Sequence, residues 1–320
     1  MLQLTNQQLE AILDFPSLVR CLQQAFQEEY AVPLRHHHDF ANPVTHENST
    51  LLLMPAWQVG GYLGVKLVTV SPGNSHFKLP SINGIYILFD AVKGIPLVQL
   101  DAKLLTNLRT AAASALASQY LSRADSRHLL VLGTGSLAPF LIRAHASVRP
   151  IEHVTIWGRS PEKAQHLTSL FAERPKNSYT VTATTYLAAA VAQADIISCA
   201  TMSVEPILKG EWLQAGQHID LVGSYKPTMR EADDEVIRRS RVFVDTFEGA
   251  IKESGDIVLP LKHGVMVETD IQADLFSLCR GRVEGRQTKD EITCFKSVGL
   301  ALEDLAAAKM AYLAYQSNEL

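Results

Sequence analysis

From Arg127 onward the chain alternates short β-rich runs (His128–Leu132, His153–Trp157, Thr180–Thr184, Ile196–Ala200, His218–Val222 and Val242–Asp245) with helical segments between most of them. Parallel neighbours need a crossover connection, so this alternation predicts a Rossmann-type doubly wound parallel α/β sheet. The first run continues into a glycine turn, Leu129-Leu-Val-Leu-Gly133-Thr-Gly135-Ser-Leu-Ala138. Gly133 permits the tight turn, Gly135 lets backbone approach a pyrophosphate, and Ala138 allows close packing of the next helix. That helix would aim its free N–H groups and positive dipole end at phosphates. Such glycines are a weak signal alone. With a strand before, a helix after and a second strand at His153–Trp157, they read as a dinucleotide site, against the blander reading of a structural turn.

The region before Arg127 has a different pattern. Thr5 is placed to cap a first helix carrying Leu9, Ile12 and Leu13, and Pro16 sits at the start of a second. Strands are expected at Thr50–Pro55, Tyr62–Val70, Gly84–Phe89 and Pro96–Leu100, the last two joined by the hairpin connection Asp90–Gly94. A helix from about Lys103 to Ser122 leads into the alternating region, and a final apolar helix covers about Leu300 to Tyr315. We therefore expect an α+β substrate-binding and dimerisation domain over 1–122, completed by 296–320, beside a dinucleotide-binding domain over 123–295.

Hydrophobic residues make up 47% and charged residues 19% of the 320-residue chain, a balance that excludes a largely disordered protein. A net charge of −4 offers no basic field for nucleic acid. No apolar run approaches the ~20 residues of a membrane span, and the polar start Met1–Glu10 reads as a helix rather than a signal peptide. Cys21, Cys199, Cys279 and Cys294 are far apart without CxxC spacing, so reduced thiols and a cytoplasmic protein are expected.

The end of the second strand of the alternating region bears on cofactor choice. An acidic residue there would grip a ribose 2′-hydroxyl. The sequence instead reads Trp157-Gly158-Arg159-Ser160. Arg159 offers a forked cation and Ser160 a hydroxyl, both suited to a 2′-phosphate, and Lys163 adds a second positive charge one helical turn on. Ser160 also suits a helix N-cap with Pro161 behind it. NADPH is the expected cofactor, with NADH possible.

Two cations stand out elsewhere. Lys66, in Gly64-Val-Lys-Leu-Val-Thr-Val70, shares a strand face with Val68 and Val70, where an ammonium is costly unless it meets an anion or snorkels to water. Arg109 opens the small-residue run Arg109-Thr-Ala-Ala-Ala-Ser-Ala-Leu-Ala117 on a helix. Its planar head suits a substrate carboxylate or a structural salt bridge to a nearby Asp. Arg35 is a third candidate cation. The adjacent triplet His36-His-His38 lacks a metal-ligand pattern, because neighbouring residues of an extended chain point to opposite faces, and no metal is expected.

Taken together these segments resemble the ornithine cyclodeaminase/mu-crystallin family along nearly the whole chain. Further matching segments are Glu205-Pro-Ile-Leu, Val222-Gly223-Ser-Tyr-Lys-Pro-Thr-Met-Arg230-Glu231, Glu253-Ser-Gly-Asp256 and Phe295-Lys-Ser-Val-Gly299. The resemblance implies a Rossmann domain, a homodimer, and a substrate carboxylate held by Lys66 and Arg109, with Arg35 at the same pocket. It implies cofactor contacts at Ser81, Arg109, Gly133, Thr134, Gly135, Ser136, Leu137, Arg159, Ser160, Lys163, Thr201, Met202, Val222, Gly223, Lys296 and Ser297. Cyclodeaminase members carry a catalytic aspartate in a Val-Gly-Gly-Asp segment, and Tyr225 stands at that position here. The stretch from His218 to Glu231, with Asp220 where other members carry asparagine, looks most like bacterial Δ1-pyrroline-2-carboxylate reductases.

The reading is therefore reduction of a cyclic ketimine by NAD(P)H, Δ1-pyrroline-2-carboxylate to L-proline and Δ1-piperideine-2-carboxylate to L-pipecolate, within proline metabolism and hydroxyproline degradation. Lys66 and Arg109 act as catalytic residues and Asp220 orients the proton network. The alternatives are ornithine cyclodeamination, oxidative deamination as in related alanine dehydrogenases, and a mu-crystallin-like ligand-binding or structural role.

Overall fold

The computed structural model describes residues 1–172 and 178–317. The chain opens with β1 (Leu2–Gln3), α1 (Asn6–Ile12) and α2 (Phe15–Gln27), then β2 (His36–Ala41), β3 (Asn48–Trp57), β4 (Tyr62–Val70), β5 (Ile82–Asp90) and β6 (Pro96–Asp101). A long helix, α3 (Ala102–Leu121), leads into β7 (His128–Leu132), α4 (Ala138–Val148), β8 (His153–Trp157), α5 (Pro161–Ala172) and β9 (Thr180–Ala183). Next come α6 (Leu187–Gln193), β10 (Ile196–Cys199), β11 (His218–Leu221), α7 (Asp234–Arg239) and β12 (Ser240–Val244). The last stretch holds α8 (Phe247–Glu253), α9 (Gly255–Lys262), β13 (Ile271–Asp274), α10 (Leu275–Cys279), β14 (Ile292–Lys296) and α11 (Ala301–Gln316). Two compact units result, one of residues 1–110 with 299 onward, the other of 111–298. The division falls inside α3 because one unbroken helix carries the chain from the first unit into the second.

In the first unit the strands form a sheet of order β1-β6-β5-β4-β3-β2, antiparallel from β6 to β2. Thr5 caps α1 through a capping box with Gln8, and Asp14 caps α2 with Pro16 in its first turn. The C-terminal helix α11 lies on one face of the sheet and packs against α2. The pairing register lines up Met54, Lys66, Tyr86 and Leu100 across β3, β4, β5 and β6, all buried on that face. Strand alternation sends Leu53, Val65, Leu67, Ile85 and Ile87 to the other face, where they are half-buried. Edge strand β2 was not among the expected strands. Every residue of His36–Ala41 is exposed, so it has no apolar alternation to announce it.

The second unit is an all-parallel sheet of order β13-β12-β14-β11-β10-β7-β8-β9. Along β7, Leu129 and Val131 belong to one apolar cluster, while Leu130 and Leu132 belong to another. Both faces are thus covered, as parallel sheets require. The order reverses at β7, where β8 lies to one side and β10 to the other, so the β7 turn opens at the topological switch point. Strands β13 and β14 are additions to the expected set. All four cysteines are free thiols, and among the described residues no helix is long and apolar enough to cross a membrane.

Candidate active site

Two groups of predicted residues take definite shape, one in each unit. In the first unit, Lys66 projects from β4 into the space under α11 and is only 3% exposed. It does not snorkel. Its Nζ lies 2.8 Å from Asp304 Oδ2 and 3.3 Å from Thr106 Oγ1. Arg109, on α3 and 4% exposed, donates Nε to Asp304 Oδ1 at 3.0 Å and Nη1 to Glu303 Oε2 at 2.6 Å. Arg35 Nη2 donates to the Gly299 carbonyl at 3.0 Å. Gly299 has φ +81°, and a Cβ there would stand 2.6 Å from Arg109 Nη1, so only glycine lets the chain turn into α11 beside the guanidinium. Of the two open readings of Arg109, the structure shows the salt bridge, to Asp304 as well as Glu303, with Lys66 on the same Asp304 carboxylate.

The electrostatics of this cluster follow from burial. Burial and the neighbouring Arg109 cation push the Lys66 ammonium down to about 8, against the pull of Asp304. Burial opposes the Arg109 charge too, but Asp304 and Glu303 more than offset it and hold the guanidinium above its ordinary range. Burial raises the Tyr86 phenol well above its usual value, with the Asp304 carboxylate adding to the effect. Glu303 and Asp304 were not expected from the sequence. Their only local signal is a pair of adjacent acids in the first turn of an alanine-rich helix that is buried along most of its length. Their partner Arg109 is 195 positions from Asp304, beyond any local periodicity.

In the second unit, β7 runs into the Gly133–Ala138 turn and α4 begins at Ala138. Gly133 has φ +121°, and a Cβ there would meet the Ala200 carbonyl at 2.5 Å. Gly135 differs: a Cβ would meet no protein atom within 4 Å. Among the described residues the backbone N–H groups of Thr134, Gly135, Ser136 and Leu137 find no acceptor. A run of free donors over an open glycine at a helix start is the cradle a pyrophosphate needs, and these residues fit the dinucleotide. At the end of β8, Arg159 is exposed. Ser160 accepts from the Lys163 N–H at 3.3 Å and donates to Glu162 at 2.7 Å, so it caps α5.

The ends of β10 and β11 are tied together by a residue the sequence reading gave no role. Glu231 accepts from the Thr201 N–H at 2.7 Å, the Thr201 hydroxyl at 2.8 Å and the Gly223 N–H at 2.6 Å. A Cβ on Gly223 would stand 1.8 Å from the Thr201 carbonyl oxygen, so the two loops approach backbone to backbone. Asp256 in turn accepts from the N–H groups of Glu231 and Ala232. Burial, with Asp256 beside it, pushes Glu231 up to about 8 despite the pull of Lys296.

Other predicted residues lie as follows. Met202 is exposed, Val222 is half-buried, and Ser297 donates to the buried Asp245 at 3.0 Å. Lys296 is fully buried with Nζ 3.4 Å from Asp256, so its side chain serves the core charge cluster. Ser81 is exposed just before β5. Asp220 does not open onto a site surface. It is fully buried within β11, accepts from Ser198 at 2.6 Å, and lies 3.3 Å from His145. Burial pushes its carboxyl up, and the bonds from His145 and Ser198 outweigh that and leave it below its ordinary value. Tyr225 is half-buried with Lys226 stacked over its ring. Among the described residues no group of His, Cys, Asp or Glu gathers as a metal site, and the His36–His38 triplet lies on the exposed edge strand.

Known proteins resemble this chain along nearly its whole length. A family profile described as "Ornithine cyclodeaminase/mu-crystallin family" matches residues 2–319. A Δ1-pyrroline-2-carboxylate reductase of Colwellia psychrerythraea is 37% identical over 95% of this chain and 96% of its own. The solved Thermococcus litoralis Δ1-pyrroline-2-carboxylate reductase, in complex with NADH and L-proline, superposes with TM-score 0.92 at 34% identity over 100% of this chain and 99% of its own. An archaeal alanine dehydrogenase dimer with bound NAD superposes with TM-score 0.90 at 29% identity, over 100% and 97% of the two chains. With the family profile and these relatives matching over nearly the full length, the chain belongs to the ornithine cyclodeaminase/mu-crystallin family.

Proposed function

We propose that this protein is an NAD(P)H-dependent ketimine reductase that converts Δ1-pyrroline-2-carboxylate to L-proline, with the six-membered Δ1-piperideine-2-carboxylate as a second substrate. The observation that carries the reading is the buried cluster in which Lys66 and Arg109 share one carboxylate partner. Relatives and a structural neighbour that bear the name of this reductase support it. The cofactor, when bound, supplies a hydride. The chain's own residues do the rest. Arg109 offers a planar fork to the substrate carboxylate and Lys66 a point charge, which together fix the ring and the face presented. Reduction of the imine carbon would move the C=N π pair to nitrogen. The nitrogen must therefore carry a proton before or as the hydride arrives, and Lys66, brought down to about 8, is the group suited to supply it. Asp220 has no part in this step, because its carboxylate is turned into the core.

NADPH is the preferred form. Arg159 is exposed at the end of β8 with no acidic residue at the strand end, and its guanidinium suits a 2′-phosphate. The molecule is a homodimer joined through the first unit, supported by the half-buried apolar sheet face around Val65, Leu67 and Ile87 and by the dimeric alanine dehydrogenase neighbour. Ornithine cyclodeamination is disfavoured by Tyr225 at the aspartate position of cyclodeaminases. The test is one assay panel: purified protein with NADPH or NADH against both cyclic imines, and with NAD plus L-ornithine. Turnover of the imines with no product from ornithine is expected. Ornithine turnover without imine reduction would overturn the reading.

A further inference from the structure

Asp304 has no role in the reaction described so far, yet both of its oxygens are used within the cluster. Oδ2 meets Lys66 Nζ at 2.8 Å and Oδ1 accepts from Arg109 Nε at 3.0 Å, with Asp304 fully buried. A substrate that brings its own carboxylate has no use for a second one as a direct partner. We propose that Asp304 is a positioning residue for Lys66: its carboxylate aims the ammonium and holds the proton on it. The inference rests on the proposed reduction, in which Lys66 acts charged.

The surroundings of Lys66 show why such a group is needed. From α3 it faces Arg109 and Thr106, from the segment before β2 it faces Arg35, and from β5 the phenol of Tyr86 stands in register with it. Burial, Arg109 and Arg35 all drive the proton off, and Asp304 pulls the other way. Glu303 is bonded to Arg109 rather than to Lys66. Position in the helix favours the arrangement too. Asp304 lies in the first turn of α11, where the positive end of the dipole stabilises a carboxylate.

The experiment compares pH profiles of imine reduction for the wild type, Asp304→Asn, Asp304→Glu and Glu303→Gln, because substrate titration is common to all four. In Asp304→Asn the alkaline limb of kcat/KM moves to lower pH by about one unit or more, the usual reach of a close opposite charge. Asp304→Glu keeps the limb at the wild-type pH and lowers kcat by misplacing the ammonium. Glu303→Gln raises KM without moving the limb. An independent readout uses no substrate: the 13Cε shift of Lys66 in lysine-labelled protein, assigned with Lys66→Met, has its titration midpoint lowered in Asp304→Asn. An unmoved Lys66 midpoint in Asp304→Asn would overturn the inference, as would a limb shifted equally in Asp304→Glu, the variant that decides if the asparagine form fails to fold. A moved midpoint in a protein that reduces no imine would instead uphold the role of Asp304 and sink the proposed reaction.

Discussion

Replacing Gly135 by alanine separates a cofactor cradle from a structural turn. A Cβ at Gly135 meets no protein atom within 4 Å, and its φ is not positive, so alanine is compatible with the fold. Reduced freedom of the unfolded chain should leave the variant as stable as the wild type or more stable by up to about 1 kcal/mol. The methyl stands beside the free N–H groups of Thr134 to Leu137, where a pyrophosphate would accept hydrogen bonds. If it pushes two charge-assisted bonds out of range, at ~1.5–3 kcal/mol each, the loss is ~3–6 kcal/mol. Since 1.4 kcal/mol is tenfold, cofactor affinity falls by about 10²–10⁴. Gly133→Ala is the contrast. Its φ of +121° and the Ala200 carbonyl 2.5 Å from a Cβ make it a folding defect, costing about 1–3 kcal/mol or more before any ligand is added. Cofactor titration by NADPH fluorescence, beside thermal unfolding, reads both quantities. A Gly135→Ala protein that melts like the wild type and binds cofactor equally well would refute the reasoning, because the open space would not be the pyrophosphate's.

Further outcomes follow from the same geometry. Arg159→Ala should weaken NADPH far more than NADH in Kd measurements, and equal losses would remove the 2′-phosphate assignment. Lys66→Ala should lower kcat for imine reduction, while Arg109→Ala should act mainly through KM, each costing roughly a hundredfold or more in kcat/KM. Near-normal rates in both would place the substrate carboxylate elsewhere. Leu67→Glu puts a charge on the half-buried sheet face and should halve the mass seen by light scattering, and a monomeric wild type would contradict the assembly. His218 is fully buried and burial pushes it down to about 3, so between its ordinary 6.5 and 3 the unfolded chain holds a proton that the native one does not. Stability should fall as pH drops through that window by about 1.4 kcal/mol per pH unit for this group, and His218→Gln should flatten the slope in urea titrations.

Local pattern carried much of this molecule. Period-two alternation put Lys66 on the buried face of β4, and the glycine spacing located the turn after β7. Thr5 and Pro16 marked the starts of two helices, α1 and α2. What local pattern cannot carry is pairing across the chain. β14 is buried at every residue and slots between β11 and β12 although β12 precedes it in sequence, so neither alternation nor chain order reveals it. Glu303 and Asp304 are two acids in an apolar helix, and only the return of α11 to β4 explains how they are tolerated. Asp220 shows the converse. A residue distinctive in sequence is held by bonds to Ser198 and His145 inside the sheet, with its carboxylate fully buried.

The discontinuity of the first unit orders the making of the protein. A ribosome that adds about 5–20 residues per second releases β4 and the Arg109 end of α3 early, then needs on the order of 10–40 s to deliver the whole second unit before α11 emerges. Until then Lys66 and Arg109 lack the two carboxylates that later surround them, and a dry pocket holding two bare cations cannot close. The nascent sheet must therefore stay open and wet while the nucleotide fold matures behind it. A chain cut short between Arg109 and Glu303 carries both cations yet cannot shut them away, which leaves an aborted product visible to proteases.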